Sequence, residues 1–473
     1  MNSRRKLVAV ALGLVVVAAG LFGYIVLTSG TTGPTYSGSP SGCVSTSGTT
    51  FAGSDAGNST DGNWTTYHGT PARSGYLAMG AVSGAHEAWA GSVGLDGQVY
   101  AEPLTCGNAV FVATESDSIY AVNATSGTIL WKTNLGTPVP GSALPCGDIS
   151  PSGITGTPVI DVATGVLYAV AFLNPGQHVL FGLSIKNGSV LSRTTADAAA
   201  ANPLVEQQRG ALLLDQGTVY IPYGGLYGDC GDYHGWVVGI STAGGPLLSY
   251  QVPTGREGGI WGTAGIALGP NGNLYVATGN SEATTQFDFG DAVIELTPSL
   301  SVISWFAPAN WAQLNSGDVD LGSVAPTVLP NGDLFQIGKE GVGYLLSGTY
   351  LGNVSGQIFS ASVCGGGYGG TATVGSSVLV PCEDGLVKVV VGASNFSIAW
   401  RSAEFDAGSP VVTGNVVWTV SIYTSDLLGL NLTTGAQVYS FPLGSVDHFI
   451  SPGVAPGSLF VGAGNQLYSF AVE

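Results

Sequence analysis

One short unit recurs along this chain and constrains its fold more than any other feature. It consists of a strand, a polar glycine-bearing turn, and a second strand ending in a large residue. The clearest copy is residues 119–131, IYAVNATSGTILW. Similar units start at 181, 237, 293, 344, 387 and 427, with 40 to 62 residues between starts. That spacing suits a ring of four-stranded antiparallel blades. The chain ends on LYSFAV, residues 467–472, which begins a unit and stops. Its missing last strand is available in AHEAWAG, residues 85–91. A ring of sheets closes without an exposed edge when one blade draws strands from both termini. Seven whole units and one shared unit predict an all-β, eight-bladed propeller over residues 64–473. Seven blades stay open as an alternative, because the unit at 344 is degenerate.

Local chemistry agrees. Glycine contributes 74 residues, and alternating Val, Ile, Tyr and Thr runs lie between Gly, Asn, Pro and Ser clusters. In residues 258–296 the turn Pro270-Asn271-Gly272-Asn273 separates strands predicted at 265–268 and 274–278, with a third at 292–296. Asn-Gly supplies the positive φ that such a turn requires. Charged residues make up 9% of the chain and the formal net charge is −18. A nucleic-acid partner needs a basic face, so that class is excluded. Only 12 Lys and Arg accompany 30 Asp and Glu, a balance that limits positive self-repulsion in acid and fits either an acidic environment or a lineage bias towards Ser, Thr and Asn surfaces.

Arg4, Arg5 and Lys6 precede an uncharged apolar run over residues 7–27. A helix of that length spans roughly 30 Å, the thickness of a bilayer core. The basic tail, residues 1–6, should stay cytoplasmic and leave the rest outside the cell membrane as a single-pass protein. The run exceeds the apolar core of a cleaved leader, so it is expected to remain as an anchor. Residues 28–61, rich in Gly, Ser and Thr, are expected to form a flexible linker. Six cysteines facing an oxidising compartment point to disulfides, and none forms a Cys-x-x-Cys pair. The spacing alone admits many pairings. We expect Cys364–Cys382 around one hairpin and Cys146–Cys230 between neighbouring repeats, which leaves Cys43 and Cys106 to tie the linker to the domain. Asn58, Asn63, Asn123, Asn187, Asn353, Asn395 and Asn431 begin Asn-x-Ser/Thr sequons, acceptor sites for glycosylation in an exported chain.

The pattern apolar-Tyr-Ala-x-x-x-x-x-Gly-x-x-x-Trp resembles the repeat of the quinoprotein (pyrroloquinoline quinone, PQQ) β-propellers. Trp64-x-x-Tyr67 followed by Arg73-Ser74-Gly75-Tyr76 resembles the N-terminal signature of the same superfamily. In dehydrogenases of that kind PQQ lies on a tryptophan over the axis beside a calcium ion. The resemblance implies Trp261 as that floor, Asn280 as a calcium ligand, Asp291 as ligand and catalytic base, and Lys339 as the contact to the quinone oxygens. The remaining carboxylate ligand would come from Asp229 or Asp232. These residue types suit the chemistry: a flat ring supports a flat cofactor, hard oxygens hold calcium, and a carboxylate takes the alcohol proton as hydride leaves.

Other features of the sequence oppose that activity. The adjacent cysteine pair of many such dehydrogenases is replaced by Cys146-Gly147-Asp148, and no haem-attachment segment is present. Trp261 also suits packing between blades, and Asn280 and Asp291 suit turns. Asp318 and Asp320 suit a turn first, and otherwise the channel lining or a calcium site. The sequence is therefore read first as an extracytoplasmic binding or scaffold module for an envelope protein, glycan or small molecule. A PQQ- and calcium-dependent alcohol or sugar dehydrogenase is the second reading. A subunit of an envelope assembly machine also fits the fold, although no lipobox cysteine closes the apolar run.

Overall fold

A computed structural model describes Ser41, Cys43 and residues 62–473. The anchor expected over 7–27 and nearly all of the linker lie outside the described residues. Among the described residues no helix is long and apolar enough to cross a membrane.

Eight sheets follow one another in chain order. Blade 1 is Leu104–Cys106, Ala109–Thr114, Ser118–Asn123 and Ile129–Asn134, each strand antiparallel to the next. Blades 2 to 7 span residues 159–195, 213–251, 267–307, 327–362, 372–401 and 411–442. Blade 8 takes three strands from the C-terminus and Ala85–Glu87 from the N-terminus. The closing register pairs Ala85 with Val472, His86 with Ala471 and Glu87 with Phe470, antiparallel as expected. Two short strands join in parallel: Tyr76–Leu77 on blade 7 and Asn353–Val354 on blade 4.

Burial falls from axis to rim. Ala109–Thr114 is buried at every position, whereas the outermost strand Val190–Thr195 is exposed at every position. The repeated Gly and Trp explain how blades lock together. The Trp131 indole N–H of blade 1 donates to the Ile185 carbonyl in blade 2 at 3.0 Å. Gly188 has φ 71°, and a Cβ there would stand 2.6 Å from the Trp131 ring. The arrangement recurs with Trp400, Leu432 and Gly435, and with Trp89, Ala124 and Gly127. Thus the Gly and Trp of one repeat have their partners in adjacent blades. The sequon residues Asn123 and Asn431 accept two backbone N–H bonds each, from the residues two and three positions on, and so close these turns. Asn63 is buried.

Some boundaries differ from the sequence reading. The strand expected at 265–268 is Ala267–Leu268. Gly265 has φ 65°, and the Ala211 backbone occupies the space a Cβ would need, so the chain turns there. In the degenerate unit, Asn353–Val354 pairs with blade 4, and Phe359–Ser362 supplies the fourth strand of blade 5. A helix of about two turns, Trp311–Gly317, joins blades 4 and 5. The disulfides are Cys43–Cys106, Cys146–Cys230 and Cys364–Cys382, the same three pairs named above.

The axial channel and the candidate site at its mouth

The channel between the innermost strands is filled from one side by residues 64–76. Trp64, Tyr67, His68 and Arg73 are all at most 3% exposed. Arg73 donates to the carbonyls of Ile266 and Leu212, which lead into blades 4 and 3, and to the Thr66 hydroxyl. The His68 ring bonds the Thr371 carbonyl before blade 6 and Ser451 before blade 8. Glu102, before blade 1, accepts from the Trp64 indole and the His68 backbone. One segment thus bonds to opposite sides of the ring and so crosses its axis. Burial holds the His68 imidazole near pKa 3 and raises the Glu102 carboxyl to about 8. The signature noted in the sequence is the channel plug.

Beyond the plug lies Phe449, from the loop between blades 7 and 8. Its ring meets Trp261, from the loop between blades 3 and 4, at 5.9 Å between centroids and 52° between planes. Those loops stand four blades apart, so their contact lies on the axis. The Arg209 guanidinium is 5.4 Å from the Phe449 ring. Phe449 has φ 64°, a conformation bulky residues rarely adopt. Between plug and Phe449 remains a cavity of about 10 Å³, lined by Tyr67, Thr263 and Arg209 among others. That is room for about one water.

Beside Trp261 the loops gather Asn280, Asp320 and Lys339. The Asn280 backbone N–H donates to Asp320 Oδ1 at 2.6 Å, and its side-chain amide donates to Glu257 at 3.4 Å. Lys339 Nζ is 2.7 Å from Asp320 Oδ2, 2.8 Å from Asp318 Oδ1, and 5.6 Å from the Trp261 centroid. Gly279 permits this approach: a Cβ there would fall 2.7 Å from Asp320 Oδ1 and 3.0 Å from the Trp261 indole nitrogen. Burial raises the Asp320 pKa, and Lys339 works against that rise.

Trp261, Asn280 and Lys339 therefore converge, but Asp291 stands behind them. It is fully buried with φ 49°, and its Oδ1 accepts the Leu321 N–H at 2.7 Å. Burial, then the neighbouring Asp320, pushes its pKa well above the usual carboxylate range. Asp229 accepts from the Tyr233 hydroxyl, and Asp232 is exposed beside His234. Asp229 lies close enough to Glu257 to add to the rise of its pKa, and the Asp229 carbonyl accepts from Arg256, the partner of Glu257. The sequence places Asp318 and Asp320 in a Gly-Asp-x-Asp stretch that suits a turn ahead of a channel-lining or calcium role, and nothing local singles out Glu257.

The residues present do not fit a bound PQQ. Phe449 and Lys339 occupy the surroundings of the Trp261 ring, and the space beneath Phe449 holds about one water. PQQ carries three carboxylates, while Lys339 is already neutralised by two aspartates. Calcium fares no better, because the Lys339 ammonium sits on Asp320 where a divalent ion would bind. Among the described residues, the only trio of candidate metal ligands is Cys364, Cys382 and Asp384, and its two cysteines form a disulfide.

A larger cavity, about 280 Å³, opens beside Phe449 between blades 6 and 7. Tyr368, Glu383, Asp406, Tyr423 and His448 form much of its wall. Burial raises the Asp406 pKa and Glu383 adds to the rise, while the Tyr368 hydroxyl is pushed up to about 12.

Comparison with known proteins places the architecture. A family model described as outer membrane protein assembly factor BamB matches residues 64–294. Quinohemoprotein alcohol dehydrogenase ADHIIG from Pseudomonas putida HK5 is 14% identical, with a TM-score of 0.66 over 87% of this chain and 80% of that one. A europium-containing methanol dehydrogenase is 15% identical, with a TM-score of 0.64 over 89% and 99%. BamB from Moraxella catarrhalis is 15% identical, with a TM-score of 0.55 over 82% and 98%. No curated protein matches the sequence.

Proposed function

Because this chain belongs to the PQQ-like β-propeller repeat family, we propose that it is a binding or scaffold module of the cell envelope, with its ligand or partner site at the channel mouth. The observation that carries this reading is the contact of Phe449 with Trp261 across the axis. By the resemblance set out above, that contact stands where a quinoprotein would hold its cofactor. The architecture persists while its centre is closed by protein side chains, so recognition moves outward to the mouth loops. Similarity to BamB, named as an assembly factor, supports a scaffold role for the same fold. In this reading residues 7–27 anchor the chain and residues 28–61 hold the propeller off the membrane.

The test uses the full-length protein with added PQQ and calcium, following cofactor absorbance and dye reduction with alcohols and sugars. We expect no saturable binding and no reduction. Saturable binding abolished by Trp261→Ala would overturn the reading in favour of a dehydrogenase. The anchor is tested separately. Full-length protein should stay with membranes through an alkaline wash, and a chain starting at residue 28 should be released.

A further inference from the structure

We propose that the cavity between blades 6 and 7 binds a small organic cation, an alkylammonium or guanidinium group, between the carboxylates of Glu383 and Asp406 and the rings of Tyr368, Tyr423 and Phe449. This rests on the reading of the mouth as a binding site and names the ligand class that site would take.

Size is the first argument. At about 280 Å³ the cavity lies just under the roughly 300–1,000 Å³ of pockets for drug-sized ligands. It matches a ligand the size of one long side chain. Its wall is held in place, since the Ile422 N–H donates to the Asp406 carbonyl and the Gly408 N–H to the Val420 carbonyl. Asp406 thus sits on a braced loop, and Glu383 is held on the neighbouring blade by its own N–H, which donates to the Gly366 carbonyl.

Charge is the second. Around Trp261 the carboxylates have basic partners: Arg256 for Glu257 and Lys339 for Asp318 and Asp320. Glu383 and Asp406 have no ion pair with a basic side chain among the described residues. The one basic ring in the wall, His448, does not supply the charge. Burial, with the Arg209 guanidinium next, holds its pKa near 4, so it is neutral around pH 7. Two carboxylates without a counter-charge favour a cation and repel an anion.

The third argument is the aromatic surface. The Tyr368 and Phe449 rings lie 6.5 Å apart at 25° to each other. Tyr423, which also lines the cavity, is 85% exposed. Aromatic faces attract ammonium and guanidinium groups, and more strongly once water is displaced. Carboxylates and rings together select an organic cation over a bare metal ion. The cation can be a free amine or the Lys or Arg side chain of a partner, since both present the same chemistry.

The experiment is calorimetric titration of the full-length protein with butylammonium and butylguanidinium, using uncharged butylurea as the shape control. We expect saturable binding of both cations, with butylurea weaker by about tenfold or more. The Glu383→Gln, Asp406→Asn double variant should keep its thermal midpoint and lose about tenfold in affinity, and Tyr423→Ala should lose severalfold. End-blocked Gly-Lys-Gly and Gly-Arg-Gly identify the source. Tighter binding of the peptides supports a partner's side chain, and tighter binding of the free cations supports a small amine. No saturable heat with any cation or peptide, equal binding of butylurea, or full affinity in the folded double variant would overturn the proposal. A negative result here beside a negative PQQ titration removes only the ligand class, whereas a positive PQQ titration removes the reading beneath it.

Discussion

Phe449 and Trp261 belong to loops four blades apart and meet on the propeller axis, with ring centroids 5.9 Å apart. A contact between loops so far apart round the ring can form only at its centre. With Arg73 and His68 bonded across the other side, it leaves an axial cavity of about 10 Å³.

Replacing Phe449 with alanine should reopen the axis while the blades stay intact. The ring is half-buried, so a loss of roughly 1–3 kcal/mol is expected, below the range for fully buried aromatics. Acrylamide quenching of the Trp261 emission, isolated as the difference from a Trp261→Phe background, should increase. Unchanged quenching would mean that Phe449 does not seal the channel.

Gly188→Ala tests the lock between blades. Both a left-handed backbone and a Cβ 2.6 Å from the Trp131 ring oppose the substitution. We expect a loss of roughly 2–4 kcal/mol in chemical denaturation. Gly272→Ala is the control: its φ is 78°, but nothing lies within 4 Å of the added Cβ. It should lose only about 1–2 kcal/mol.

Ring closure predicts the effect of a truncation. Removing residues 466–473 deletes the fully buried Leu467 and Phe470 and leaves Ala85–Glu87 without its partner strand. The truncated chain should lose cooperative unfolding and self-associate with concentration through the bared edge. Adding the peptide QLYSFAVE should restore a single transition. A truncated chain that melts like the parent would show that closure contributes little.

Stability should decline as pH rises above about 6.5. Burial raises the folded-state pKa of Glu102, Asp117 and Glu206 to about 8, and of Glu115 to about 7. Unfolded, these groups release their protons near pH 4, so the folded state binds more protons between there and pH 8. Stability therefore falls with rising pH across that window. His68 and His448, held near 3 and 4, act in the opposite sense below about 6.5, where only the unfolded state protonates them. Above that pH the carboxyl groups act alone. Thermal midpoints from pH 5 to 9 should peak on the acid side of neutrality, and Glu102→Gln should flatten the alkaline decline. A midpoint that climbs between pH 6.5 and 8.5 would contradict this account.

Much of the architecture was legible because its signals are local. Alternation, Asn-Gly turns and the half-unit at each end each depend on a few adjacent residues, and together they yield eight blades and the closing strand. The unit at 344 was obscure because its fourth strand had moved to residues 359–362 while Asn353–Val354 joined the preceding blade. The site was legible only in part. Trp261, Asn280 and Lys339 stand together, but the carboxylates bonded to them are Asp318, Asp320 and Glu257. Motif position favoured Asp291, which φ 49° and the bond from Leu321 hold behind the cluster.

By itself the sequence determined the repeat, the sheet class, the joining of the two ends and the acidic balance, because strand patterning is written in near neighbours and net charge in composition alone. Only the tertiary structure decided what fills the axis and which carboxylates lack a counter-charge. Phe449 is 188 residues from Trp261 along the chain. Their meeting depends on the curvature accumulated over the blades between them, which no local pattern records.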